Sequence, residues 1–190
     1  KLPNILTFSR ILAIPLLIGL LLFVSDPLGS WLAFTAYTFA CITDFFDGYL
    51  ARAWNQYSDL GRMLDPIADK MLVAILIAVL AWDRSLSGLD MIPAIAILFR
   101  ETFIPGLREF LGPLQVSVPV SKLAKWKTTL QMVSLGSLIL GQGLPGWNFA
   151  AGGVLHNIPH LVGLVTLWGA AILTVITGWD YLRVGISHMD

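Results

Sequence analysis

Six long blocks of apolar residues divide the chain, and they constrain its fold more than any other feature. The blocks cover residues 11–25, 31–43, 71–82, 91–107, about 129–145 and about 158–179. A helix that crosses the hydrocarbon core of a bilayer needs roughly 20 residues. Because several blocks are shorter than that, we expect their helices to extend into the polar flanks and to carry charged residues.

The low content of charged residues supports lipid as the surroundings of these helices. Of the 190 residues, 56% are hydrophobic and 13% are charged, whereas soluble globular chains average about 25% charged residues. This composition excludes a disordered chain and a basic nucleic-acid-binding surface. The single cysteine, Cys41, excludes a disulfide framework.

We therefore predict an all-α integral membrane protein with six transmembrane helices in a single domain, residues 1–190. Residues 1–10 are expected to form a short interfacial lead-in to the first span. A soluble all-α bundle is the alternative. Because the sequence begins with Lys1 rather than methionine, we expect a trimmed or truncated N-terminus, and no signal peptide precedes the first block.

Basic residues are distributed unequally between the two sides that six alternating spans create. Of the 12 lysines and arginines, 11 fall on the side that contains both termini, and only Arg84 falls on the other. Positively charged residues are retained on the cytoplasmic side of a membrane. We therefore expect both termini to be cytoplasmic.

The polar stretch between the second and third blocks carries two stripes of carboxylates. If the second helix continues to about Trp54, then Asp44, Asp47, Gly48 and Ala51 share one of its faces.

The second stripe follows a few residues later, where Gly61, Asp65 and Asp69 are spaced four apart. We predict a helix that begins near Ser58 and is distorted at Pro66. The alternative is a helix that begins at Asp65, with Pro66 in its first turn.

Adjacent antiparallel helices would bring these four carboxylates together, and divalent cations would compensate their charge. Oxygen ligands without histidine or cysteine suit Mg²⁺ or Mn²⁺. Four aspartates can hold two such ions about 3.5–4 Å apart, an arrangement used in phosphoryl chemistry. For one intramembrane aspartate a buried salt bridge is an equally good explanation, and small residues alone are typical of helix packing.

The spacing of these residues resembles the signature of the CDP-alcohol phosphatidyltransferase family. Its fixed positions are filled, in order, by Asp44, Asp47, Gly48, Ala51, Arg52, Gly61, Asp65 and Asp69. The resemblance implies an enzyme that moves a phosphatidyl group from CDP-diacylglycerol to an alcohol and releases CMP. It also implies a homodimer and two divalent cations held by the four aspartates. Together with the charge distribution, this leads us to expect an enzyme of the bacterial cytoplasmic membrane whose active site faces the cytoplasm.

Two further roles follow from the resemblance and from the residue types. We expect CDP-diacylglycerol to lie over Gly48, Ala51 and Gly61, with Arg52 and Ser58 nearby. No histidine lies in the motif, so a carboxylate must accept the proton of the acceptor hydroxyl. The resemblance assigns that role to the last aspartate, Asp69.

The acceptor must be inferred from residues outside the signature. Five basic residues precede or begin the fifth block, and we expect them to form an anion pocket: Arg108, Lys125, Lys127, Lys122 and Arg100. A positively charged flank that contacts anionic lipid is the simpler explanation for any one of them. Residues 106–109, 125–129 and 2–10 are similar to the branch of the family that uses sn-glycerol 3-phosphate.

Other functions remain open at this stage. A relative that forms cardiolipin from phosphatidylglycerol is the nearest alternative, and relatives that use serine or inositol phosphate are others. A cation transporter would place acids near the membrane midplane and show internal repeats, and a scaffold would leave the carboxylates without a role. Release of CMP from CDP-diacylglycerol would separate an enzyme from both. Direct displacement and a covalent intermediate are both open.

Overall fold

A computed structural model describes residues 2–54, 59–112, 122–144 and 158–187. Within these ranges, the side chains of residues 2–7, 47, 48, 50–54 and 59–62 lie outside the description. The described chain forms six α-helices: α1 (Leu2–Phe23), α2 (Leu28–Trp54), α3 (Asp59–Trp82), α4 (Met91–Leu111), α5 (Lys122–Gln142) and α6 (Ile158–Ile186). A short 3-10 helix, Gly88–Asp90, precedes α4.

The all-α prediction is confirmed, since the described residues contain helices and turns but no strand. One helix among them, Ile158–Ile186, is long and apolar enough to cross a membrane by length and composition, and Phe8–Phe23 is a shorter apolar helical segment. Helices α2 and α3 carry aspartates within their length, which lowers their mean hydropathy. Six spans and the orientation of the termini stay predictions.

The N-terminal lead-in predicted for residues 1–10 is not a separate element over its described residues, and its interfacial position stays a prediction. Helix α1 runs from Leu2 to Phe23 without interruption, so these residues belong to the same helix as the first apolar block. Pro3 explains why the helix can begin so early. Its missing N–H is tolerated in a first turn, where backbone N–H groups have no helical partner.

The helices that carry the carboxylates follow the predicted boundaries. Helix α2 continues past the second apolar block and ends at Trp54. Helix α3 begins at Asp59 and contains Pro66, so the alternative start at Asp65 is wrong. Pro66 cannot donate to the carbonyl of residue 62, but the apolar residues that follow are helical through Trp82.

Helices α4, α5 and α6 also extend into their polar flanks, as the short apolar blocks predicted. Helix α5 begins at Lys122, seven residues before the apolar block that defined it. The lysines of this region therefore lie on a helix and not in a connecting loop.

One compact unit consists of residues 1–86 and 135–162. Helix α1 packs against both α2 and α3, and buried residues from all three form the apolar core, such as Leu17, Ala33 and Leu76. The arrangement brings the carboxylate-bearing parts of α2 and α3 beside the same helix.

A second compact unit consists of residues 87–134 and 163–190. Its core includes Ile97 of α4 and Leu167 of α6, which are fully buried. The hydroxyl of Ser134 on α5 donates to the carbonyl oxygen of Gly163 on α6 at 2.7 Å. The prediction of a single domain over residues 1–190 stays a prediction.

Candidate functional site

The first unit contains all four predicted metal-ligating aspartates. Asp44 and Asp47 lie on α2, and Asp65 and Asp69 lie on α3. The side chains of Asp44, Asp65 and Asp69 are half-buried, whereas the side chain of Asp47 lies outside the description. Both helices continue through the motif, so each pair of aspartates is held on a rigid helix at the spacing that the sequence predicts.

Arg10 of α1 connects the two carboxylate-bearing helices. Its Nη2 lies 2.7 Å from Oδ1 of Asp44, and its Nη1 lies 3.8 Å from Oδ1 of Asp65. The Arg10 side chain is only 2% exposed, so the guanidinium is held in place by the surrounding helices. One carboxylate from α2 and one from α3 therefore meet at a single cation.

Asp69 lies in the same neighbourhood. The thiol of Cys41, one turn before Asp44 on α2, interacts electrostatically with both Asp44 and Asp69. Tyr37, one further turn back along α2, also interacts with Asp69. The structure thus brings Asp44, Asp65 and Asp69 to one side of the first unit.

No three acidic, histidine or cysteine side chains within the described set are grouped closely enough to hold a metal ion. The donor chemistry nevertheless fits a hard divalent cation, because the acidic side chains that approach each other here are carboxylates, and Asp44 and Asp65 both contact Arg10. Carboxylate oxygens are the ligands that Mg²⁺ and Mn²⁺ prefer.

The residues predicted to contact the nucleotide lie at the ends of the same two helices. Gly48, Ala51 and Arg52 belong to the last two turns of α2, and Gly61 belongs to the first turn of α3. Their side-chain surroundings are outside the description, and Ser58 lies outside the described residues altogether. Their nucleotide contacts stay predictions.

The five predicted acceptor-binding residues all lie in the second unit. Lys127 of α5 is only 5% exposed and forms a short ion pair with Oε1 of Glu101 on α4. Arg100 contacts the same oxygen through Nη1 at 3.3 Å. Two of the five predicted cations therefore meet at one carboxylate.

The other three acceptor candidates are exposed. Arg108 donates from Nη2 to the hydroxyl of Tyr181 at 3.0 Å, and its guanidinium lies 5.5 Å from the centre of that ring. Lys122 and Lys125 lie on the first turn of α5. Their side chains are accessible to a ligand.

Sequence reasoning missed Arg10 and Glu101 as partners of the predicted site residues. Arg10 was assigned no role in the site from the sequence, although it is the last charged residue before an uninterrupted apolar block. Glu101 interrupts the fourth apolar block beside Arg100. In both cases a charge within apolar sequence was the available signal, because such a charge requires a partner.

Comparison with known proteins gives a consistent result. The family model described as CDP-alcohol phosphatidyltransferase matches residues 1–176. A relative from Cereibacter sphaeroides named CDP-diacylglycerol–glycerol-3-phosphate 3-phosphatidyltransferase is 41% identical, over 100% of this chain and 97% of its own length. Relatives with the same name from Rickettsia bellii and Haemophilus influenzae are 48% and 32% identical. They cover 96% and 97% of this chain and 94% and 92% of their own lengths, respectively.

Proposed function

The chain belongs to the CDP-alcohol phosphatidyltransferase family, and from this premise we propose that it transfers the phosphatidyl group of CDP-diacylglycerol to sn-glycerol 3-phosphate. The products are phosphatidylglycerophosphate and CMP, so the enzyme acts in anionic phospholipid synthesis. The observation that carries this proposal is the nearly full-length similarity to relatives whose names state this reaction.

We further propose that the enzyme spans the bacterial cytoplasmic membrane six times and acts as a homodimer at the cytoplasmic face. Six described helices of at least 21 residues support the number of spans. The concentration of lysine and arginine on the side of the carboxylate motif supports the orientation.

Asp44, Asp47, Asp65 and Asp69 would hold two divalent cations, Mg²⁺ or Mn²⁺. When bound, such cations supply charge stabilisation to phosphoryl oxygens and acidify a nearby hydroxyl. The convergence of Asp44 and Asp65 on the Arg10 guanidinium supports the assignment, since carboxylates from two different helices meet there at one positive charge. Arg10 would also keep α2 and α3 at a fixed separation.

Asp69 is the proposed base. The acceptor hydroxyl oxygen forms a bond to the phosphorus that carries diacylglycerol, the bond from that phosphorus to CMP breaks, and the hydroxyl proton passes to the Asp69 carboxylate. Asp69 lies one turn after Asp65 on α3, which supports different roles for the two carboxylates. The small stripe of Gly48, Ala51 and Gly61 would accommodate the nucleotide, with Arg52 and Ser58 beside it.

Arg108, Lys125 and Lys127 would bind the phosphate of glycerol 3-phosphate, with Lys122 and Arg100 as further candidates. The exposed positions of Arg108 and Lys125 support this role. Lys127 is already paired with Glu101, so a phosphate that binds Lys127 must compete with that carboxylate.

A comparison of acceptors tests the proposed reaction. Purified protein in detergent would receive CDP-diacylglycerol with glycerol 3-phosphate, phosphatidylglycerol, serine or inositol phosphate, and CMP release would be measured. Of these four acceptors, we expect only glycerol 3-phosphate to produce CMP release. Release with phosphatidylglycerol instead would identify a cardiolipin-forming enzyme, and no CMP release with any acceptor would leave a transporter as the better explanation.

Two variants of the motif separate metal binding from base catalysis. We expect Asp69→Asn to reduce turnover by orders of magnitude while CDP-diacylglycerol binding survives, because the base is lost. Asp44→Asn should weaken both turnover and divalent-cation binding, measured by calorimetry. An Asp69→Asn variant with reduced substrate affinity and an unchanged maximal rate would make Asp69 a ligand rather than the base. Full activity of the wild-type protein after removal of divalent cations by a chelator would exclude the metal assignment.

A further inference from the structure

An apolar groove lies between two helices of the second unit, away from the carboxylate motif in sequence. Residues 96–104 of α4 and residues 174–182 of α6 line this α4–α6 groove, whose cavity has a volume of about 210 Å³. Phe99 and Trp179 contribute exposed aromatic walls. Exposed apolar side chains are expected wherever a helix faces lipid, so the polar groups in this groove are what distinguish it.

Thr174 is a lining residue of the groove, and its buried hydroxyl has no hydrogen-bond partner among the described residues. The residue is 0% exposed. The eight other threonines whose side chains are described each donate to a carbonyl of their own helix, as Thr177 does to Leu173 at 2.8 Å. A buried hydroxyl without a partner is unfavourable, so an acceptor that enters the groove would stabilise it.

Arg100 presents a second donor at the groove. Its Nη1 contacts Glu101, but its Nε is buried and has no hydrogen-bond partner in the described part of the chain. Glu101 is also paired with Lys127, so two cations share one carboxylate. Arg100 is the charged residue of the groove lining, and it shares its carboxylate partner with Lys127, which favours an anionic ligand.

Gly178 leaves the groove open at the point nearest to Arg100. A Cβ atom at this position would lie 3.5 Å from Cγ of Arg100 and 3.9 Å from Cδ1 of Ile104. These are ordinary van der Waals distances, so a Cβ atom would fit here. Helix packing therefore does not require glycine at position 178, and the missing side chain creates space for a ligand.

We propose that the α4–α6 groove binds an anionic phospholipid. One acyl chain would lie against the aromatic walls, while ester or phosphate oxygens of the lipid accept hydrogen bonds from the Thr174 hydroxyl and Arg100 Nε. The apolar lining favours a lipid over a free phosphate ion, because a free phosphate would lose its hydration without gaining apolar contact. The groove shares Arg100 with the candidate acceptor residues, but its other lining residues have no part in the proposed reaction and its test measures lipid binding rather than turnover.

Native mass spectrometry of the full chain in detergent can test this site by titration with phosphatidylglycerol or with phosphatidylcholine of the same acyl chains. We expect one high-affinity phosphatidylglycerol per chain and several-fold weaker binding of phosphatidylcholine. Thr174→Val should weaken phosphatidylglycerol binding about five- to tenfold, the effect of one lost hydrogen bond. Thr174→Ser should retain the wild-type affinity, and Thr177→Val is the matched control with an expected unchanged affinity.

A thermal melt of the lipid-free protein separates lost binding from lost folding. Thr174→Val should raise the melting temperature, because it removes an unsatisfied buried hydroxyl, while it reduces the shift that added lipid produces. Gly178→Leu should fill the groove and abolish the high-affinity binding. Equal lipid affinities for Thr174→Val and the wild type would overturn the proposal. The proposal would also be overturned if the Gly178→Leu variant kept its bound lipid and its dimer dissociated instead. That result would mean that a second copy of the chain covers the groove.

Discussion

The Arg10 guanidinium joins the N-terminal helix to both helices that carry the carboxylates. Its two ion pairs join α1 to Asp44 of α2 and to Asp65 of α3. A buried arginine without these carboxylates would be strongly unfavourable, and the carboxylates without Arg10 would repel each other. Arg10 and the proposed divalent cations would therefore stabilise the same group of negative charges.

The first prediction follows from this shared role. Arg10→Met should lower the stability of the metal-free protein by about 1–3 kcal/mol, less than for a fully buried pair because Asp44 is partly exposed. Melting temperatures in chelator and in Mg²⁺ would measure the effect. We expect Mg²⁺ to raise the melting temperature of Arg10→Met more than that of the wild type. If Mg²⁺ raised the melting temperatures of both proteins equally, Arg10 and Mg²⁺ would not neutralise the same carboxylates.

A second prediction concerns Asp83, in the turn after α3. Burial raises the pKa of Asp83 above its ordinary value of 3.8, and Asp26 acts in the same direction more weakly, whereas hydrogen bonds from Ser85 and Gln142 lower it. Because the pKa of Asp83 is higher in the folded protein than in the unfolded one, protonation of Asp83 stabilises the fold. This contribution is complete below the unfolded pKa and is lost as pH rises through the folded pKa. Asp83→Asn removes this titration, so we expect the variant to gain in melting temperature relative to the wild type as pH rises from about 3.5 to 7. A difference that does not change with pH would contradict this prediction.

Spacing alone was sufficient to place Asp65 and Asp69 on one face of α3, because helical periodicity fixes which side chains share a face. That Asp44 of α2 lies near them followed only from the expectation that neighbouring helices pack against each other. The same information did not identify Arg10, which lies 34 residues before Asp44 in the sequence. The choice of partner for a buried charge depends on how helices pack against each other. Local sequence patterns contain no such information.

At the scale of elements, apolar blocks predicted how many helices the described chain has but underestimated their lengths. Helix α5 begins at Lys122 because lysine, alanine and leucine are good helix formers that continue the helix beyond its apolar part. This extension places Lys127 on the helix, where it pairs with Glu101 of α4. Hydropathy alone could not locate the start of α5, so it could not predict the ion pair between α4 and α5.

A third prediction tests how this ion pair holds α4 against α5. Lys127→Met leaves Glu101 with Arg100 as a partner, whereas Glu101→Gln leaves Arg100 and Lys127 without their shared carboxylate. We therefore expect Glu101→Gln to destabilise the protein more, by about 3 kcal/mol or above. The free energies of unfolding of both variants and of the double variant would measure this. Equal losses from the two single variants, or losses that add in the double variant, would contradict the described cluster.

For the whole molecule, the distribution of charge along the chain carries more information than its total. The net charge is zero, yet six alternating spans would place 11 of the 12 basic residues on one side. The sequence could predict this asymmetry because it depends only on where the apolar blocks lie. It could not predict the two compact units, each of which combines segments far apart in the chain.

The last prediction tests the orientation that this asymmetry implies. Ser87 follows the turn that contains Arg84, Ser187 follows α6, and both serines are exposed. In a Cys41→Ala background, Ser87→Cys should react with a membrane-impermeant maleimide in intact cells. Ser187→Cys should react only after the membrane is disrupted, because lysine and arginine hold the segments beside them on the cytoplasmic side. Labelling of Ser187→Cys in intact cells, with protection of Ser87→Cys, would place the carboxylate motif on the wrong side of the membrane for cytoplasmic glycerol 3-phosphate.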